Sequence, residues 1–545
     1  MLKTVCATLL ASGAAAVSAQ PVPGSPTGLL IDHGRLDRVQ PTAPTAAPSP
    51  SKVQDHVTSV DEGASDRATL IRGVTFDGVQ VPERVANAAR PFLGKPASTE
   101  VLNALANAMS VAYGKSAVAL YTVAIPAQRF VDGVVHVRVA EGFVEQVIIT
   151  GDVKHRSVRL VQRYAARLAA EHPLSRATLQ RYLSLMRDIP GLTLDVKLLK
   201  GDKPGGVKMV LILKQKGHDV AFSFDSRSQE DLSQGAFQAS GKAFGALRPG
   251  DETDLVLSAS ANFHNYGYAG LIHSTPIGSN GTRASFSIAH LATRARHSHI
   301  TGSADVLSFS ISHPLIRSYQ RNLIVSASLD GVNSDNAVLG SLLSRERSRA
   351  MRGSATFADA AAKHSFSSSI TVSRGLGIFD EDTSLTLADP HFTKVDGRIS
   401  LDRALGKKFV VRLATAGQWS GDPLPAVERF IVGGADFGRA FPVAILSADR
   451  GAAGSAELGW LPIRKGGFAR TEIYVFGDIA KAHYVERGLS PAASYDLASA
   501  GFGVRFAFRE KAHLDVEAAK RVDVPFPGYS KGWQINVAWR LSLGR

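Results

Sequence analysis

Large apolar side chains alternate with polar ones along much of the C-terminal part of this sequence. Trp533, Ile535, Val537, Trp539, Leu541 and Leu543 are separated by Gln534, Asn536, Ala538, Arg540 and Ser542. A period of two describes a β-strand with one apolar and one wet face. The pattern recurs. Leu307, Phe309 and Ile311 alternate with Ser308, Ser310 and Ser312, and Leu323, Val325, Ala327 and Leu329 with Ile324, Ser326, Ser328 and Asp330. Phe502, Val504, Phe506 and Phe508 alternate with Gly503, Arg505, Ala507 and Arg509. A protein core packed on the second set would leave arginines and aspartates without partners, whereas a water-filled lumen accepts them. The pattern therefore predicts a transmembrane β-barrel over residues 217–545, apolar outside and polar inside. At about ten residues per strand, with similar turn and loop length, that segment holds about sixteen antiparallel strands. An even count brings both ends of the barrel to one side. A large soluble sandwich or solenoid is the competing reading, and few sandwich cores run to this length in one domain.

Before the barrel the periodicity changes. Leu70 to Phe76 reads as a strand, and Pro82 to Leu93 and Ser98 to Tyr113 as helices. In the second helix Ser98 is the N-cap, followed by Val101, Leu102, Leu105 and Met109 at helical spacing. Ala117 to Ile125 and Val134 to Val139 read as strands. The order then repeats: strand Val144 to Ile149, helices Ser157 to Ala170 and Ser175 to Arg187, strands Leu192 to Leu198 and Val207 to Leu213. These are two tandem small α/β units, 68–142 and 143–216.

Residues 1–19 have the form of a secretory signal peptide: Lys3, a short apolar stretch from Val5 to Val17, and Val17-Ser18-Ala19 as cleavage site. Residues 20–67 read as a linker with seven prolines between Pro21 and Pro50, interrupted by a possible short plug helix over Gly28 to Val39. Cys6 is the only cysteine and lies in the leader, so the mature chain forms no disulfide and no cysteine-based zinc site. No stretch reaches about eighteen uncharged apolar residues, which argues against transmembrane helices. Net charge is +14 at pH 7, but Lys and Arg are dispersed without a basic run or aromatic platform, which argues against nucleic acid as a partner.

Two β-α-α-β-β units ahead of a barrel resemble the two-partner secretion transporters (TpsB), the haemolysin secretion/activation family of ShlB/FhaC/HecB type, whose small units are called POTRA domains. Ile125-Pro126-Ala127-Gln128, Gly133 and Val137-Arg138-Val139-Ala140-Glu141-Gly142 are similar to the family's P-x-Q…G…V-x-V-x-E-G stretch. Leu185 to Gly191 resembles its L-x-D-x-P-G helix exit, and His313 to Ser318 with Arg321-Asn322-Leu323 a family strand and turn. Glu428 to Phe441 resembles the tip of a long barrel loop that folds back into the lumen, with Gly438-Arg439-Ala440-Phe441 where the family has V-R-G-Y. Phe476-Gly477-Asp478 matches the F-x-D strand motif that faces that tip. The chain departs from the family in Ala117, where a glycine is usual, and in its non-aromatic ending Leu543-Gly544-Arg545.

The resemblance implies an outer-membrane translocator of a Gram-negative bacterium, with POTRA domains in the periplasm. It would recognise an unfolded TpsA-like exoprotein of adhesin or haemolysin class and export it through the pore without nucleotide hydrolysis. Outer-membrane lipids and the barrel-assembly machinery would be its other partners, and it would act as a monomer without a cofactor. Arg439, Phe441, Phe476 and Asp478 would anchor the loop, with a bidentate Arg439–Asp478 pair at its centre. Gly433, Gly434 and Gly438 would permit its turn. Gln128, Arg129 and Arg138 are candidate partner-binding positions, on strands expected to offer a free edge. His-Glu-x-x-His does not occur. Gly114-Lys115-Ser116 imitates only the end of a P-loop, with Met109 at a required glycine. His297 and His299 lack an evident third ligand for a metal. Alternatives are a BamA-type insertase and a general solute channel or porin.

Overall fold

The computed structural model describes residues 56–543, apart from 62, 153–154, 229–231, 233, 297–298, 340, 379–387, 464, 489 and 510. The leader, most of the linker, its Gly28–Val39 island, His297 and the last two residues lie outside the described residues.

The first small unit is a four-stranded mixed sheet in the order His56–Val60, Tyr121–Ile125, Val134–Glu141, Gly73–Asp77. His56–Val60 lies parallel to Tyr121–Ile125, so the unit starts inside the stretch read as linker. The segment pairs with a strand distant in sequence, and its own signal is short, the β-branched Val57, Thr58 and Val60. The expected strand Leu70–Phe76 is divided into Asp66–Leu70 and Gly73–Asp77. The expected helix Pro82–Leu93 narrows to Glu83–Ala88 followed by a 3-10 turn at Arg90–Phe92, because Pro91 supplies no N–H to continue it. The helix Thr99–Tyr113 is capped as expected: the Ser98 hydroxyl accepts from the Val101 N–H at 3.4 Å. It buries Leu102, Leu105, Met109 and Tyr113 against the sheet. Burial, and Glu141 at 3.3 Å, push the Tyr113 phenol well above its ordinary pKa. Gly114 is the C-cap of this helix, the wrong end to cradle a phosphate.

The second unit has the sheet order Phe143–Asp152, Gly206–Gln215, Leu192–Lys200. Helices His155–Ala169 and Arg176–Arg187 cover it, the latter capped by Ser175, whose hydroxyl accepts from Thr178 N–H at 3.2 Å. Val161, Leu168, Leu183, Met186 and Leu211 are among its fully buried core residues.

Residues 218–542 form a closed barrel of sixteen antiparallel strands. Its first strand, His218–Asp225, closes on its last, Trp533–Ser542, in the register Ala221↔Ser542 to Asp225↔Ala538. Closure satisfies every strand edge, which is what allows a sheet to cross a bilayer. The two faces fall where the alternation places them. Leu307 is 52% and Ile535 68% exposed on the outside, while Ser308 and Asn536 are each 1% exposed within. Strand Ile300–Arg317 ends at the His313–Ser318 motif and strand Arg321–Val338 begins directly after it. Between strands Phe409–Ser420 and Arg450–Trp460 the chain leaves the wall as the loop 421–449, which packs inside the barrel.

Candidate functional site

The loop has its own small fold. A 3-10 turn, Ala426–Glu428, leads into a two-stranded ribbon in which Phe430–Val432 pairs with Leu446–Ala448. The ribbon carries the tip, Gly433 to Phe441. Phe430, Phe437, Phe441 and Leu446 pack with wall residues Tyr474, Phe476 and Leu497 in one apolar cluster. The loop is therefore held by buried apolar area as well as by the polar anchors the motif implies. The expected turn glycines have a geometric cause. Gly433, Gly434 and Gly438 adopt φ of 107°, 107° and 75°, which L side chains rarely tolerate. A Cβ on Gly433 would also meet the Pro442 carbonyl at 2.2 Å.

The structure brings Arg439, Phe441, Phe476 and Asp478 together but corrects how they connect. Asp478 does not pair with the Arg439 guanidinium. Its carboxylate accepts from the backbone N–H of Gly438 at 2.6 Å and of Arg439 at 3.5 Å, and from the Ser499 hydroxyl at 2.7 Å. Because Gly438 has no side chain, the backbone reaches the wall itself and occupies the short carboxylate. The longer arginine passes over the Phe476 ring, 4.3 Å from its centroid, and Nη1 reaches Glu457 at 3.0 Å and Glu517 at 3.2 Å. Both acids belong to a wider network. Glu457 also holds Arg505 and Arg412, and Glu517 holds Arg227 at 2.9 Å. Asn536 Nδ2 donates to the Arg439 carbonyl at 3.0 Å, and Arg521 Nε donates to the Ala440 carbonyl at 2.9 Å.

A second anchor escaped the sequence reading. Glu428 is 1% exposed and forms a bidentate pair with Arg352, at 2.9 and 2.6 Å, and an ion pair with Lys394 at 3.0 Å. Arg352 is in turn held by Asp330 at 2.7 Å. Lys394 Nζ and Gln418 Nε2 both donate to the Glu428 carbonyl, and the Glu346 carboxylate accepts from Ala426 N–H at 2.8 Å. The loop is thus tied at its tip to one sector of the wall and at its base to another. Glu428 opened the quoted motif, but nothing local marks it as an anchor, since its partners come from distant strands.

The partner-binding candidates fare differently. Tyr121–Ile125 and Val134–Glu141 are interior strands of their sheet, so the expected free edge is absent there. Gln128 acts on its own unit: Oε1 accepts from His136 N–H at 2.8 Å and Nε2 donates to His136 O at 2.9 Å. Its amide continues the pairing of Tyr121–Ile125 with Val134–Glu141 where the first strand has already ended. Arg129 and Arg138 are exposed. Gln128→Ala is expected to remove about 1 kcal/mol of local stability, the usual net worth of such a bond. Faster hydrogen exchange of Val134–Glu141 in the full-length protein would register it, and unchanged exchange would refute the clamp. The described free edges are elsewhere. In the second unit Phe143–Asp152 is an outer strand, and a groove of about 580 Å³ lies between it and helix His155–Ala169, lined by Gln146, Val147, Ile149, Val158, Gln162 and Ala165 among others.

The chain matches two family models, the haemolysin secretion/activation protein ShlB/FhaC/HecB over residues 259–506 and the ShlB-type POTRA domain over 69–142. Both matches are to the ShlB type that its motifs resemble. Among its relatives is the heme/hemopexin transporter protein HuxB of Haemophilus influenzae, 22% identical over 469 residues, 81% of each chain. The fold is similar to that of CdiB from Escherichia coli, with TM-score 0.69 and 16% identity over 93% of this chain and 95% of that one. CdiB from Acinetobacter baumannii aligns with TM-score 0.60, again at 16% identity over 93% and 95% of the two chains. BamA from Haemophilus ducreyi lacking POTRA domains 1–3 aligns with TM-score 0.55 and 13% identity, over 87% and 99%. The matches indicate a translocator barrel preceded by POTRA structure, the first small unit being the one matched directly.

Proposed function

We propose that this protein captures an extended exoprotein with its POTRA domains in the periplasm of a Gram-negative bacterium and passes it through the barrel to the cell exterior. The partner is a TpsA-like chain of adhesin or haemolysin class. The observation that carries this reading is the loop 421–449: a separately folded plug, held in the lumen by apolar contacts and two polar anchors that can be exchanged without breaking the barrel wall. A solute channel has no need of a removable plug together with two POTRA domains. A BamA-type insertase remains the rival. Loss of one secreted protein on deletion of the gene, with other outer-membrane barrels assembling normally, separates the two. No nucleotide is consumed; folding of the exoprotein outside the cell draws it outward.

Capture uses backbone pairing. The outer strand Phe143–Asp152 offers unpaired N–H and C=O groups to an extended chain, and the groove beside it takes alternate side chains. Photocrosslinkers at Gln146 and Ile148 are expected to trap the cargo's N-terminal region during export, and those at Arg129 and Arg138 to trap it several-fold less. The reverse ranking would return recognition to the first domain.

A further inference from the structure

We infer that the outer wall of the barrel carries a specific lipid site, fitted to a phosphorylated, multiply acylated lipid of the outer leaflet, the lipid A class. This rests on reading the chain as an outer-membrane barrel but not on its cargo. A barrel wall is convex, and this one is interrupted by a concavity of about 1270 Å³. Its floor is a patch of small outward-facing residues on neighbouring strands: Gly397, Gly417, Ala452, Gly454 and Ala498. Register places them together, with Gly397 opposite Gly417, Gly417 opposite Ala452, and Gly454 opposite Ile479, which pairs with Ala498. Ile370, Ile399, Trp419 and Ile479 rise around them, each between 49% and 66% exposed. Ile370 opposes Gly397 and Ile479 opposes Ala498, so the floor lies on the lipid-facing side of the strands, outside the lumen.

The missing side chains are not demanded by the backbone. Neither Gly417 nor Gly454 has a positive φ. A Cβ on Gly454 would meet nothing nearer than the Ala414 carbonyl at 3.8 Å, and one on Gly417 the Gly451 carbonyl at 3.5 Å. Glycine inside a strand weakens it and often marks a place where another molecule approaches closely. Acyl chains are the apolar solvent of this face, so a depression here is filled by them.

The rim adds a headgroup preference. With both barrel ends periplasmic, strands Phe409–Ser420 and Glu472–Tyr484 run outward, so Trp419, Arg450 and Lys481 stand at the outer-leaflet end. The Arg450 guanidinium lies over the Trp419 ring at 5.6 Å, and the Lys481 side chain is 66% exposed. Arg374, on the strand beside Thr393–Leu405, adds a third cation. Asp496, 3.5 Å from Lys481, and Asp523 oppose them, leaving the rim net positive. Aromatic and basic groups at one end of an apolar groove fit a phosphorylated headgroup above its acyl chains.

The test uses the full-length protein in nanodiscs holding equal amounts of lipid A, phosphatidylglycerol and phosphatidylethanolamine, with retained lipid counted by native mass spectrometry. Lipid A is expected to be retained several-fold over the other two. The groove-filling variant A452L/G454L should lose at least four-fifths of it, and R450Q/K481Q should lose the preference for lipid A. The heat-modifiable gel shift of a folded barrel confirms that each variant is closed. Equal lipid A retention by wild type and A452L/G454L would overturn the site, as would equal retention of phosphatidylglycerol. So would a dimer dissociated by A452L/G454L, which would assign the groove to a second copy. None of these outcomes depends on export, so failure here leaves the proposed function untouched.

Discussion

Asp478→Ala is expected to cut export at least tenfold while leaving the barrel folded and inserted. The carboxylate is the acceptor for the N–H of Gly438, and also faces Arg439 N–H and the Ser499 hydroxyl. Hydrogen bonds to a charged group contribute about 1.5–3 kcal/mol each, so removing it frees the tip without removing a strand. Asp478→Asn keeps an oxygen for Gly438 and should retain more export than alanine. The geometry also distinguishes two kinds of anchor. Were the tip held by an Arg439–Asp478 ion pair, exchanging the two residues would restore export. With backbone N–H groups on Asp478, and Glu457 and Glu517 on Arg439, the swap places a carboxylate beside two others and an arginine against N–H donors. It is expected to be worse than either single change. Secretion assays on the three variants, normalised to folded barrel, decide this.

Glu428→Ala is expected to open the pore. It takes from Arg352 its bidentate partner and from Lys394 its near carboxylate, in a setting where all are buried. Breaking a buried ion pair from one side costs about 3–5 kcal/mol, a large fraction of what holds a loop of this size in place. Single-channel recording in planar bilayers should show openings far more frequent than in the wild type, and protease should cut within 421–449. Glu428→Gln, which retains an acceptor, should fall between them. Openings as rare as in the wild type would show that the tip anchor and the apolar cluster around Phe441 hold the loop without the base.

Much of this architecture is legible along the chain, for a local reason. Strand alternation sets which side chains face lipid and which face water, so Leu307 and Ser308 announce their sides before any pairing is known. The capping serine Ser98 is read equally well, because an N-cap acts within three residues. What fails is what depends on register between distant strands. His56–Val60 pairs with Tyr121–Ile125, a strand distant in sequence. Asp478 and Glu457 lie on adjacent strands of the same wall, and proximity in motif gave no means of choosing which would take Arg439. Glu428 is one carboxylate in a loop until Arg352 and Lys394 converge on it. The bonds of Gln128 to His136 were hidden for the same reason, since the partner is a backbone eight residues on.

The central claim is that the exoprotein travels through the lumen, displacing the plug. Photoreactive residues at lumen-facing Ser326 and Ser367, and at lipid-facing Leu329 and Ile370, test it with a cargo stalled during export. Ser326 bonds Ser354 at 2.7 Å across the inner face, whereas Leu329 and Ile370 are each 52% exposed on the outer one. Crosslinks to the cargo from Ser326 and Ser367, and none from Leu329 and Ile370, are the expected result; export that proceeds with crosslinks only from the outer positions, or from none of the four, would contradict it.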